Sequence, residues 1–339
     1  MTATDPALLV WGAGAIGGSI GAAIARSGHD VLFVDLDDRH VDAVTRTGLR
    51  VTGPVAEYVV PVRATTPDEV RGRFSLCFLC VKSHHTRSAL EQLAPHLTED
   101  GAVVSVQNGL CEHWIAEAIG AERTVGAFVN FGADVLEPGV IHRGNRGATV
   151  VGEIDGRRTD RIEAIHGLFR IFEPNAVLTD NIFGYLWGKL AYASVLFATA
   201  LTDDSIADVL AEAAWRPTLV ALAREAVAVA DAQGIALEGF DGFDPNAFGE
   251  DAEPGAAASS LDDLVRFNRA SAKTHSGIWR DLAVRKRKTE VDAQLGWIVG
   301  LGERHGVGTP LTRALMERIH EIEAGTRPMR PENLLDLAV

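Results

Sequence analysis

The chain has 339 residues, 47% hydrophobic and 23% charged, an ordinary globular composition that excludes a disordered chain or a small disulfide-stapled scaffold. With 32 basic and 46 acidic residues the formal charge is −14, which argues against a nucleic-acid partner held on a basic face. Three cysteines, Cys77, Cys80 and Cys111, cannot all pair, the N-terminal segment carries acid rather than base, and the longest apolar run, Leu190 to Leu201, is too short to cross a membrane, so a soluble cytoplasmic protein is expected.

Along the first half, short apolar runs alternate with helical stretches. Leu8–Trp11 opens onto glycines and is followed by the helix-like IGAAIARSG; Val31–Val34 ends at Asp35; Phe74–Val81 and Ala102–Val106 are further runs bounded by polar or glycine punctuation. Buried-type strands alternating with helices predict a parallel, doubly wound α/β sheet covered on both faces. From Val125 to Glu153 the pattern turns strand-like, with turn signals at Pro138-Gly139 and Gly144, and reads as an antiparallel addition to that sheet. Val177–Leu178 reads as its last strand. Beyond Thr179 strand signals become scarce, and helices are predicted over Asn181–Leu201, Arg216–Gln233, Leu261–Ser271, Thr289–Gly306 and Leu311–Ala324. The expected division is a dinucleotide-binding domain over 1–179 and an all-helical domain over 180–339. The segment 237–260, rich in Gly, Pro, Asp and Glu, reads as a long acidic loop, either a lid or a tolerated insertion.

Gly12-Ala13-Gly14-Ala15-Ile16-Gly17 follows the first strand and opens a helix. In that context Gly12 allows the tight turn, Gly14 lets the backbone approach a pyrophosphate, and Gly17 permits close packing of helix on strand. The amides around Ala15 and Ile16 then meet the phosphates at the helix N-terminus. Asp35 ends the second strand, 18 residues after Gly17. A carboxylate there accepts hydrogen bonds from the ribose hydroxyls and repels a 2′-phosphate, so NAD is favoured over NADP, with Arg39 on the following turn as the residue that would accommodate the phosphate instead. On the first helix of the second half, Lys189 lies near Trp187, Leu190 and Tyr192. Taken alone it is either a proton donor to a developing alkoxide or a solvated lysine whose stem lies along the helix.

GAGAIGG, VKSHHT at Val81–Thr86, QNGL at Gln107–Leu110, WGKLA at Trp187–Ala191 and KTEVD at Lys288–Asp292 occur in an order and spacing that resemble the ketopantoate reductase family over nearly the whole chain. The resemblance implies a two-domain, 6-phosphogluconate-dehydrogenase-like enzyme that passes a hydride from a nicotinamide cofactor, usually NADPH, to the carbonyl of a 2-oxo acid. It makes Lys189 the proton donor to the substrate oxygen, and Glu290 the acid that engages the substrate hydroxyl and the lysine. It places Ser276 near the substrate carboxylate, Asn108 beside the nicotinamide and Lys82 along the cofactor channel. By themselves, Glu290 reads rather as a solvated helix acid and Ser276 as a helix cap, since exposed acids and caps are common.

Two departures stand out. The family presents asparagines four and eight residues after the lysine, on one helix face, where this chain has Ala193 and Phe197. Without those amides a polar dihydroxy acid loses its donors, so a 2-oxo or 2-hydroxy acid with a side chain more apolar than that of pantoate is expected, nearer to the D-2-hydroxy-acid dehydrogenases of the same family. Asp35 departs from an NADPH site in the same sense. The alternatives are a genuine NADPH-dependent 2-dehydropantoate 2-reductase and a non-catalytic dinucleotide-sensing regulator; a homodimer is expected by analogy. No metal is expected, since Cys77 and Cys80, three apart in a strand, face opposite ways and the adjacent His84 and His85 do not share a ligand geometry. The basic run Arg285–Lys288 reads as a solvated helix end, and Lys82, Lys189 and Lys273 are the cations expected to draw an anionic substrate.

Overall fold

The computed structural model describes residues 8–270 and 274–337; Ser271, the expected end of one helix, and Lys273 lie outside them. The chain divides into two compact units, Met1–Ile182 and Phe183–Val339.

In the first unit, β1 (Leu8–Trp11), α1 (Ala15–Arg26), β2 (Val31–Val34) and α2 (Asp38–Thr47) are followed by three short strands, β3 (Leu49–Thr52), β4 (Tyr58–Val60) and β5 (Arg63–Thr65). Then come β6 (Phe74–Leu79), α3 (Thr86–Leu93), β7 (Leu97–Ser105), α4 (Cys111–Ile119) and β8 (Thr124–Val129). The unit ends with β9 (Ala133–Glu137), β10 (Val140–Arg143), β11 (Thr149–Glu153), α5 (Asp160–Phe172) and β12 (Val177–Leu178). The main sheet has the order β12-β11-β8-β7-β6-β1-β2-β5. β1 pairs in parallel with β2 on one side and β6 on the other, so the chain reverses its direction of winding at β1.

Alternate residues of these strands feed the two faces of the sheet. Val10, Phe33 and Phe78 pack with Ile20 of α1 and Phe169 of α5, whereas Leu9, Trp11 and Cys77 pack with Leu90 of α3 and Ile115 of α4. Cys77 and Cys80 accordingly join opposite faces, and burial pushes both thiols up. Both ends of the sequence pattern are secured by caps: the Asp37 side chain accepts the Arg39 N–H at the start of α2, and Thr159 accepts the Ile162 N–H at the start of α5.

The expected antiparallel addition is corrected in part. β8 and β11 do pair antiparallel within the main sheet, but the β9–β10 hairpin leaves it and joins β3 and β4 in a separate four-stranded sheet of order β4-β3-β10-β9. That sheet lies on α1, where Gly18 leaves room for Ile141 and Leu49. Arg143, at the end of β10, and Glu173, just after α5, form a buried ion pair at 3.3 Å, which Arg146 joins at 3.0 Å. The Arg143 guanidinium lies 3.8 Å over the Phe172 ring, and burial lowers its pKa from the usual guanidinium value.

The second unit contains α6 (Ile182–Thr199), which begins at the last residue of the first, then α7 (Ile206–Ala211), α8 (Arg216–Asp231), α9 (Ala256–Ala270) and the single turn α10 (Gly277–Trp279). It is completed by α11 (Val291–His305), α12 (Pro310–Glu323) and α13 (Glu332–Leu335). The Glu225 carboxylate of α8 accepts the Leu311 and Thr312 N–H groups, capping α12 from a neighbouring helix. One sequence reading is corrected here: residues 256–260 belong to α9 rather than to the acidic loop. The basic run 285–288 is exposed and follows a helical turn over 280–284, with Arg285 and Arg287 turned back onto the buried Asp281 carboxylate, at 3.1 and 2.9 Å. Among the described residues no helix is long and apolar enough to cross a membrane.

Glu173→Ala would leave the Arg143 cation buried without its partner. Denaturant unfolding is expected to show a loss of about 3–5 kcal/mol, whereas the exposed pair Arg87–Glu117 should cost under about 1 kcal/mol when broken.

Candidate active site

The glycine turn is built by backbone constraints. The Gly12 N–H donates to the Val34 carbonyl at 2.8 Å and the Cys80 N–H to the Trp11 carbonyl at 2.8 Å, so the end of β1 is stitched to both neighbours. Gly12 has φ +102°, and a Cβ there would stand 2.8 Å from the Val81 nitrogen. A Cβ on Gly17 would stand 2.8 Å from the Cys80 Cβ. Gly14 differs from both: it is the N-cap of α1, has φ −67°, and a Cβ there would meet nothing within 4 Å. The first intrahelical bond is Gly18 N–H to Gly14 carbonyl, which leaves the amides of Gly14, Ala15, Ile16 and Gly17 without a helix acceptor. No acid stands in that first turn. The result is an open, anion-accepting helix end reached by bare backbone.

Asp35 closes one side of this turn. Its Oδ2 accepts the Ala13 N–H at 2.9 Å and its Oδ1 the Asp37 N–H at 3.1 Å. Arg39 is turned to Asp37, with Nε 3.3 Å from its Oδ1, and is 83% exposed; this hydrogen bond holds the Asp37 carboxyl below its usual range.

The remaining predicted residues of this unit follow the carboxyl ends of β6 and β7. Lys82 is half-buried and precedes a short 3₁₀ turn, Ser83–His85, whose two histidines are exposed. Asn108, half-buried, follows β7, and its carbonyl accepts the Ser83 hydroxyl at 2.6 Å. Gln107 is the residue that sequence reasoning missed. Its buried amide donates to the Val81 carbonyl at 2.7 Å and to the Thr86 hydroxyl at 2.9 Å, stapling the Lys82 loop to the Asn108 loop. Its only sequence signal was its place in QNGL. Gly12, Asp35, Lys82 and Asn108 thus all follow strand carboxyl ends around the reversal at β1, where open α/β sheets bind their ligands.

In the second unit, Lys189 is half-buried on α6, and Ala193 and Phe197 follow on the same face one and two turns later, both buried, Phe197 completely. The segment 237–248 lies along an adjacent stripe of α6. The Glu238 N–H donates to the Gly184 carbonyl at 3.2 Å, a Cβ on Gly188 would stand 2.5 Å from the Glu238 carbonyl oxygen, and Tyr192 packs its ring against Phe240 and Phe243 at 5.9 and 5.4 Å. Burial pushes the Tyr192 phenol up to about 12, partly offset by a hydrogen bond with Asn268 of α9. Ser276 is buried and caps α10, its Oγ accepting the Trp279 N–H at 3.1 Å. Glu290 is the half-buried N-cap residue of α11, yet its side chain does not cap the helix. Its neighbour Thr289 is anchored through N–H and hydroxyl to the Glu323 carboxylate, at 2.7 Å each. Among the described residues no group of three His, Cys, Asp or Glu side chains is placed to hold a metal.

The profile described as Ketopantoate reductase PanE/ApbA matches residues 8–156, and that described as Ketopantoate reductase PanE/ApbA C terminal matches residues 181–323. The 2-dehydropantoate 2-reductase of Archaeoglobus fulgidus is 28% identical over 317 residues, 93% of this chain and 97% of that protein. The crystal structure of a PanE/ApbA family ketopantoate reductase from Ralstonia eutropha superposes with a TM-score of 0.78 at 26% identity, covering 94% of this chain and 98% of that one. D-mandelate dehydrogenase, solved with NADH and anilino(oxo)acetate, shares the fold at a TM-score of 0.80 and 21% identity, covering 94% of this chain and 99% of its own.

The two glycines should respond differently to substitution. Gly14→Val is expected to keep the melting temperature within a few degrees while abolishing dinucleotide binding in a fluorescence titration, because its side chain enters space that only a ligand would fill. Gly12→Val should lower the melting temperature outright, since both its φ and its neighbours exclude a side chain.

Proposed function

This chain belongs to the ketopantoate reductase family, oxidoreductases acting on CH–OH/C=O, and from that premise we propose that it passes a hydride between NAD(H) and a 2-oxo or 2-hydroxy acid with a side chain more apolar than that of pantoate. The observation that carries the substrate half is the face of α6 beyond Lys189, where the buried Ala193 and Phe197 stand in place of the family's two amides. A hydroxylated acid held beside Lys189 would bury its hydroxyls without those donors, at about 1–3 kcal/mol each, while an apolar side chain suffers no such loss.

The residues of the first unit fit a nicotinamide dinucleotide: a cradle at Gly14 that a Cβ would fill, four amides without helix acceptors, and Asp35 at the end of β2. With Arg39 turned to Asp37, the charge next to the adenosine ribose is that of Asp35, which supports NAD over NADP. Asn108 and Lys82 would lie along the nicotinamide end. When bound, the reduced cofactor supplies the hydride. Lys189 donates a proton to the carbonyl oxygen as negative charge develops there, and takes it back in the oxidative direction. Glu290, at the start of α11, orients the lysine and the substrate hydroxyl. Ser276 accepts from Trp279 but keeps its own hydroxyl proton to donate to the substrate carboxylate. Cys77, Cys80 and Cys111, none of them in a disulfide, suit a reducing cytoplasm. A second reading, 2-dehydropantoate reduction with NADPH, is favoured by relatives that carry that name over nearly the full length of this chain.

Steady-state kcat/KM over a series of 2-oxo acids, from 2-dehydropantoate to branched aliphatic and aromatic side chains, separates the readings. The apolar acids are expected to lead; 2-dehydropantoate ahead by orders of magnitude would establish the second reading. Lys189→Ala should lower kcat by roughly 10²–10⁴ with the preferred substrate, and full activity in that variant would remove the lysine from the chemistry.

A further inference from the structure

Asp35 holds the N–H of Ala13; the carbonyl of the same residue is held by a second side chain. His40, in the first turn of α2 and buried, places Nε2 3.1 Å from the Ala13 carbonyl oxygen, and the Gly139 N–H, from the β9–β10 turn, lies 3.2 Å from its Nδ1. A backbone N–H only donates, so Nδ1 is the acceptor and Nε2 carries the proton that goes to Ala13. The Gly139 carbonyl in turn accepts the Arg50 N–H of β3 at 2.9 Å. The ring is therefore fixed from behind by the second sheet and applied in front to the glycine turn.

The Ala13 carbonyl and the Gly14 N–H belong to one planar trans peptide and point in opposite directions. Whatever holds the carbonyl sets the heading of that N–H, one of the four amides at the start of α1 without a helix acceptor. Gly14 itself, with no side chain and nothing within 4 Å of its would-be Cβ, offers no steric means of fixing its own peptide plane. We infer that His40 is a positioning residue for pyrophosphate: by holding the Ala13 carbonyl it aims the Gly14 amide at the diphosphate of the cofactor. The inference rests on the reading of the glycine turn as a dinucleotide site. It assigns the second sheet a role as the support of the phosphate-binding turn.

Two substitutions divide the ring's two contacts. The Gln side chain reaches the position of Nε2 and can still donate to Ala13; the Asn side chain reaches only the position of Nδ1 and can accept from Gly139 alone. Dissociation constants for ADP-ribose and for adenosine, measured by competition against NADH fluorescence, separate the diphosphate from the rest of the ligand. His40→Asn is expected to weaken ADP-ribose roughly tenfold and adenosine by less than about twofold, and His40→Gln to restore ADP-ribose to within about threefold of wild type. Equal losses for ADP-ribose and adenosine, or wild-type ADP-ribose affinity in His40→Asn, would overturn the inference and leave His40 a structural residue. Failure of the wild-type protein to bind ADP-ribose and NADH would overturn the dinucleotide reading itself and the inference with it. If His40→Asn does not fold, His40→Gln alone decides: selective weakening of adenosine over ADP-ribose, or loss of both alike, contradicts the assignment, and retention of both with an unaltered melting temperature supports it.

Discussion

The first unit is organised around a hydrogen bond between two strand ends, where the Asp35 carboxylate that closes β2 accepts the Ala13 N–H that follows β1. For that bond to exist, β1 and β2 must pair in register, Trp11 opposite Val34, and the chain must turn at Gly12 through a conformation that a side chain would forbid. The turn in turn needs Gly17 bare so that α1 can lie close against the strands. The two glycine requirements are steric ones met by the absence of atoms, and with the strand register they bring an acid and a row of amides without helix acceptors side by side. The opposite charges of these two groups suit the two ends of an adenosine diphosphate: hydroxyls for the acid, phosphates for the amides.

The second unit uses a small residue in the same way for a different end. Gly188 lets the 237–248 segment lie directly on α6, where the Gly184 carbonyl accepts the Glu238 N–H and the Tyr192, Phe240 and Phe243 rings pack on one another. One stripe of α6 is thereby committed to that segment. On the stripe carrying Lys189, Ala193 and Phe197, the lysine is the single polar group of the three.

What was legible in the sequence was local. The glycine turn, the apolar runs of β1 and β2 and the helix carrying Lys189 are each specified by neighbours within a few residues, and the ordered motifs identified the family. The second sheet was not legible because its strands are three to five residues long and β3 pairs with β10 some ninety residues away, Arg50 opposite Val140. His40 was invisible for the same reason: its two partners are 27 and 99 positions distant, and an isolated histidine on an amphipathic helix carries no mark of them. The acidic segment was legible in part: apart from one 3₁₀ turn, 237–255 is the loop its glycines and acids suggested, while its last residues open α9. The three phenylalanines that pack it, Phe240, Phe243 and Phe248, are too irregularly spaced to register as a period. The apolar character of Ala193 and Phe197, by contrast, was read from the chain alone and stands on the buried face of α6.

If the charge beside the ribose is that of Asp35, as proposed, a pair of equilibrium titrations of the wild-type protein with NADH and NADPH at the same ionic strength reads it out. A 2′-phosphate brought against that carboxylate meets like charge, so NADH should bind at least roughly tenfold more tightly. NADPH binding as tightly as NADH, or more so, would contradict the account.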